Sequence, residues 1–169
     1  CSSDLKKKFL SELINILGFI PLNIKLYELA LTHKSAKALI SHGEVINNER
    51  LEYLGDAILD AVIADYLFRN YPEQNEGFLT KMRSKMVKRK HLNLIAYRLG
   101  IHRLVIANTH PGNITKYLYG NALEALIGAV YLDRGFKKTC RFIEKILKKN
   151  VNLDKLLKSD FDYKSQLIE

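Results

Sequence analysis

Residues 49–70 restrict the fold more than any other stretch. Glu49-Arg50-Leu51-Glu52-Tyr53-Leu54-Gly55-Asp56 leads into Ala57, Ile58, Leu59, Ala61, Val62, Ile63, Ala64 and Leu67, with no proline before Pro72. The spacing predicts one long helix from about Glu49 to Asn70, ending ahead of Pro72. Beyond Asp56 it is apolar on nearly every side, which places it centrally in a fold. At about 100° per residue, Glu49, Glu52 and Asp56 fall within an arc of about 60°, and Asp60 extends the stripe. Acids in a first turn favour the positive helix end by about 0.3–1 kcal/mol each, which is reason enough for a Glu pair. Carboxylates stacked at the mouth of a buried helix repel one another unless protons or a cation neutralise them. An oxygen-rich cluster of this kind suits Mg²⁺ or Mn²⁺.

A second segment carries a similar pattern. Asn121 and Glu124 sit one turn apart and share a face, followed by Ala125, Leu126, Ile127, Gly128, Ala129 and Val130. A lone Glu beside an Asn is ordinarily a cap or surface pair; two apolar helices that each begin with oxygen ligands point instead to a shared site.

The rest of the chain also reads as helix. Ser3 or Asp4 caps a first helix to Leu17, with Leu5, Phe9, Leu13 and Ile16 at helical spacing and Gly18 as its stop. Further helices are expected over 21–30, 76–89, 91–99, 121–133 and 136–149, with Gly100 and Gly135 as C-terminal signals. Residues 41–48 form a loop ending in an Asn cap, and 102–119, with Pro111 and Gly112, a looser connection. Period-two alternation is nowhere sustained, so the fold class is all-α. At 169 residues the chain is one domain, or one domain and a fragment of another.

Charge narrows the partners. There are 27 Lys+Arg against 18 Asp+Glu, a net charge of +9, which favours a polyanion such as nucleic acid. Cys1 and Cys140 form no CxxC pair, so a reducing, cytoplasmic setting is expected. Asp60 and Asp65 break the longest apolar stretch, and the N-terminus has no apolar h-region, so neither a membrane span nor a signal peptide is expected. No GxG or P-loop glycines, GxSxG elbow or HExxH pair occurs, which leaves no apparatus for a nucleotide cofactor. His33, His42, His91, His102 and His110 are scattered and read as capping, loop or surface residues.

Asn48-Glu49-Arg50-Leu51-Glu52-Tyr53-Leu54-Gly55-Asp56 resembles the signature of the ribonuclease III family, which usually has Phe where this chain has Tyr53. The resemblance continues through Leu31-Thr32-His33-Lys34-Ser35, through 76–84 and through 124–135, and so covers about residues 5–150 in the family's order. Residues 162–169 are similar to the opening helix of the double-stranded-RNA-binding domain that follows in these enzymes. The resemblance therefore implies an endonuclease domain over 1–158, then a linker and the start of an RNA-binding domain over 159–169.

It further implies a homodimeric helical domain that cleaves double-stranded RNA with Mg²⁺, for which Mn²⁺ substitutes. Glu52 and Glu124 match the family's metal-binding glutamates, Asp56 its essential aspartate and Glu49 its outer carboxylate. Asp56 and Glu124 are the expected catalytic pair, and Glu52, Asn121 and Glu124 the expected metal set. Asn121 departs from the usual Asp; an amide oxygen coordinates weakly and brings no charge. The position of Tyr53 fits into the partner subunit in the family, the bland alternative being a core aromatic. The apolar surface of the long helix also favours a self-complementary copy.

For RNA contact, the run 81–90 supplies Lys81, Arg83, Lys85 and Lys88 together with Arg89 and Lys90, and contains no acid. A solvated helix face explains the charge equally well. A second basic run over 137–149 holds one acid, Glu144, and reads as a solvated surface. Two rivals stay open: an inert relative that only binds structured RNA, and a generic DNA-binding helical domain. Retention of Glu49, Glu52, Asp56 and Glu124 argues against the inert relative.

Overall fold

A computed structural model describes residues 2–36, 40–41, 44–108 and 117–158. His42, His110, Pro111, Gly112 and the segment 159–169 lie outside them. The elements run α1 (Ser2–Leu17), α2 (Ile24–Ala30), β1 (Ile40–Ser41), β2 (Glu44–Val45), α3 (Glu49–Asn70), α4 (Glu76–Met86), α5 (Arg89–Arg98), a 3₁₀ turn (Ile101–Arg103), α6 (Leu118–Asn150) and α7 (Leu153–Lys158). The all-α class holds. The departures among the described residues are a two-residue antiparallel pairing, Ile40 with Val45 and Ser41 with Glu44, inside the expected loop, and a single parallel bridge between Thr32 and Ile106.

The centre of the fold is the crossing of α3 and α6. Leu51, Ile58, Leu59, Val62, Ile63 and Leu67 of α3 are buried, as are Leu123, Leu126, Ile127 and Val130 of α6. Helices normally approach to 8–10 Å between axes. Here the backbones touch. A Cβ on Gly55 would overlap the Glu124 carbonyl, and one on Gly128 would stand 2.5 Å from the Leu51 oxygen. Two glycines, one per helix, permit that approach. α2 and α5 pack on α6, and α4 packs on α3.

Several boundaries differ from expectation for tertiary reasons. α2 starts at Ile24 rather than Pro21, because the Leu22 and Asn23 amides donate to the Asp133 carboxylate at 3.0 and 2.8 Å. The same carboxylate accepts the Tyr27 hydroxyl at 2.7 Å. α4 ends at Met86 because Lys88 is extended, at φ −56° and ψ 128°, before α5. Gly18 and Gly100 adopt φ of 75° and 85°, and Gly135 breaks α6 with φ 75° and ψ 172°. The breaks at 18, 100 and 135 are those the sequence predicts. Leu5 is corrected: it is 70% exposed, while Leu13 and Leu17 anchor α1.

No described helix is long and apolar enough to cross a membrane.

Candidate functional site

The α3–α6 crossing has a direct chemical consequence. Gly55 lies between Glu52 and Asp56 in sequence, and Gly128 lies one turn after Glu124. Closing the two helices onto one another therefore brings Glu52 and Asp56 up to Asn121 and Glu124. All four line one cleft of about 390 Å³, together with Glu49, Tyr53, His33, Lys34, Asn48, Val87 and Arg89. The start of α6 is fixed by α5: the Asn93 Oδ1 accepts from the amides of Tyr119 and Gly120, both at 3.1 Å. That cap sets the rotation of the turn carrying Asn121 and Glu124.

The carboxylates are electrostatically distinct. Glu124 is pushed up to about 7, first by burial and then by the charges of Asp56 and Glu52. Burial also raises Glu52, with Glu49 adding to it. Glu49 goes the other way, because Lys34 donates to its Oε1 at 3.0 Å and Asn47 to its Oε2 at 3.3 Å. Asp60, next along the stripe, lies outside the cleft lining, yet its charge also raises Glu124.

The inner wall is built from residues 30–36 and the end of the loop before α3. Asn48 is only 1% exposed and makes no cap hydrogen bond; its Nδ2 donates to the Ala30 carbonyl at 3.1 Å. Its amide donates to Thr32 O at 2.9 Å, so the expected cap is instead a strut between α2 and α3. The capping contact comes one residue earlier, where the Asn47 Oδ1 accepts the Glu49 amide at 2.8 Å. The Asn48 Oδ1 is buried without a partner among the described residues. His33 is 6% exposed, and its Nδ1 accepts from the Ser35 amide at 3.1 Å. Burial and Lys34 lower His33, so it sits neutral with its proton on Nε2.

Of the basic run 81–90 expected to meet RNA, only Arg89 lines the cleft. Lys85 is turned onto α7, donating to Leu156 O at 2.8 Å, and Lys81, Arg83 and Lys88 lie elsewhere on the surface of the 81–88 segment. Arg89 was expected only as one member of that basic run, and Lys34 and His33 were not singled out as site residues, because the fold brings them to the carboxylates from other segments. Tyr53 is 81% exposed, which rules out the core-aromatic alternative.

A family profile described as Ribonuclease-III-like matches residues 23–151. The chain belongs to that family. Among its ribonuclease III relatives, "Ribonuclease 3" of Bacteroides fragilis is 48% identical over 155 residues, covering 91% of this chain and 53% of that protein. The Azobacteroides pseudotrichonymphae "Ribonuclease 3" is 47% identical over 165 residues, covering 97% and 63%. The chain thus spans half to two-thirds of the length of the ribonuclease III proteins it matches. In three dimensions the nuclease domain of Campylobacter jejuni ribonuclease III superposes with a TM-score of 0.76 at 34% identity, covering 84% of this chain and 98% of that one. A Dicer from Pichia stipitis gives 0.57 at 27% identity, covering 78% and 60%.

Proposed function

We propose that this chain is the nuclease unit of a divalent-cation-dependent endoribonuclease that hydrolyses phosphodiester bonds in double-stranded RNA. The observation that supports it is the backbone-close α3–α6 crossing, which sets Glu52, Asp56 and Glu124 around one cleft in a protein of net charge +9. Residues 1–158 make up this unit, and 159–169 lead into an RNA-binding domain.

The donor set fits a hard cation. Every candidate ligand is an oxygen, Glu124 holds a proton to about pH 7 that a cation would displace, and the buried Asn48 oxygen lacks a partner among the described residues. No three acidic, His or Cys side chains among the described residues form a finished cage, so the Asn121 oxygen and waters would complete the shell of an ion held there. Glu52, Glu124 and Asn121 would hold Mg²⁺ or Mn²⁺, with Asp56 beside them. A bound divalent ion supplies a water acidic enough to attack near neutral pH and neutralises charge on the phosphate. The chain's part is to fix positions. Asp56 and Glu124 orient and accept protons from the attacking water; Glu49, tied to Lys34, shapes the rim. Asn121 in place of Asp makes the set one charge less negative.

Turnover of an end-labelled RNA duplex with and without Mg²⁺ tests the reading. Cleavage only with the ion supports it; binding without cleavage under both conditions favours an inert RNA-binding relative.

The long helix supports a second element, self-association. Tyr53, Ala57, Ala61 and Phe68 are exposed along α3, on the side turned away from α6. This leaves a two-fold partner as the natural cover for the stripe, consistent with a homodimer.

A further inference from the structure

Resting on the ribonuclease reading, we propose that Arg89 is the residue of the cleft wall that grips the RNA phosphate. Four carboxylates line the cleft, Glu49, Glu52, Asp56 and Glu124, and two cations, Lys34 and Arg89. A polyanionic substrate approaching such a surface is repelled unless a fixed positive charge faces it. Lys34 is committed to Glu49 at 3.0 Å. Arg89 makes no ion pair within 4 Å among the described residues, yet its field reaches both helices, partly offsetting the rise of Glu52 on α3 and of Glu124 on α6.

Its placement is also directed. Arg89 is the first residue of α5, immediately after extended Lys88, and its guanidinium lies 6.0 Å from the centre of the Tyr117 ring. The ring face limits where the long side chain can go, which reduces the entropy lost on binding. A planar guanidinium meets two oxygens of one phosphate at once, which an ammonium does not. Its exposure leaves the fork accessible from the mouth of the cleft. The four basic residues of the 81–88 run lack this position.

The test is binding of a fluorescent RNA duplex by anisotropy across a KCl series in EDTA, where no turnover intervenes. Arg89→Gln should lower the slope of log affinity against log salt by roughly 0.7–0.9, one phosphate contact, and weaken binding several-fold. Arg89→Lys should restore the slope without restoring full affinity, since charge returns but the fork does not. Circular dichroism and melting temperature should stay at wild-type values for both. An unchanged slope in folded Arg89→Gln overturns the proposal; tighter Mn²⁺ binding by calorimetry in that variant would identify Arg89 as a counter-charge of the carboxylates only. Wild-type cleavage of the same duplex in Mg²⁺ is measured alongside. Its failure would overturn the ribonuclease reading itself, whereas its success with an unchanged slope removes only Arg89.

Discussion

Burial and two facing carboxylates make Glu124 hold its proton to about pH 7. In the metal-free protein the sign of the resulting pH dependence is fixed. An unfolded Glu releases its proton near its ordinary value of 4.5, whereas the folded one keeps it, so folding is favoured below that value. Stability should fall as pH rises from about 4.5 to about 7 and then level. Glu124→Gln should remove the Glu124 share of this fall, leaving that of Glu52, and raise the metal-free stability at pH 8 by on the order of 1–2 kcal/mol after allowing for solvent screening, while duplex cleavage is lost. Chemical denaturation of both proteins in EDTA at pH 5 and pH 8 measures it. Taking the difference cancels the opposite contribution of His33, whose lowered value adds stability as pH rises through 6.5. A wild-type advantage at pH 8 would overturn the account. At position 121 an acid should act in reverse: Asn121→Asp should bind Mn²⁺ more tightly by calorimetry and cleave at lower Mg²⁺, with some loss of metal-free stability from added repulsion. Glu52, Asp56, Asn121 and Glu124 were legible in sequence because helical spacing alone puts each pair on one face. Arg89 was legible only as one member of a basic run, and Lys34 and His33 were not legible, since they reach the cleft from separate segments and no local period links them to it.

The same contrast appears among the elements. Helix existence followed from apolar spacing and glycine stops, and Gly18, Gly100 and Gly135 all stand where the chain turns with positive φ. Boundaries set at long range did not follow. The start of α2 depends on Asp133, more than a hundred residues away, whose carboxylate holds the Leu22 and Asn23 amides. The role of Gly55 was equally hidden, since a glycine in a helix interior reads as a local defect of about 1 kcal/mol. Its backbone contact with Glu124 gives the opposite sign to substitution by alanine. Gly55→Ala gains helix propensity but must force α3 and α6 apart, so the variant should lose about 3 kcal/mol, the upper end for overpacking, and, where it still folds, separate Glu52 from Glu124. Gly77, whose Cβ would meet only the Asn75 side chain at 3.5 Å, is the control, and Gly77→Ala should be neutral or mildly stabilising. Urea denaturation of the pair decides it; equal effects would mean that the crossing relaxes freely. Asn93→Ala, which removes the cap of α6, should cost about 1 kcal/mol and lower turnover by shifting the Asn121–Glu124 turn.

At the scale of the whole molecule, α3 is apolar on more sides than its own domain covers. Leu51, Ile58, Leu59, Val62, Ile63 and Leu67 face the core, while Tyr53 and Phe68 stand 81% and 71% exposed with Ala57 and Ala61 between them. Spacings of four, four and seven residues keep these side chains on one stripe along the helix. A single exposed aromatic is unremarkable, but two joined by small residues along one helix form a surface that a second helix can approach closely. The chain should therefore sediment as a dimer at micromolar concentration. Phe68→Asp places a charge on this apolar stripe, which a second apolar face would have to desolvate, and should shift the protein to monomer. Because Phe68 contributes little to the core of one domain, the monomeric variant should retain its helical circular dichroism and lose only the concentration dependence of its melting temperature. Lys148→Asp, on the basic end of α6, changes charge at a distance and should leave the dimer intact. A wild-type monomer at micromolar concentration, or a Phe68→Asp variant that stays dimeric, would show that α3's exposed stripe is not the contact surface.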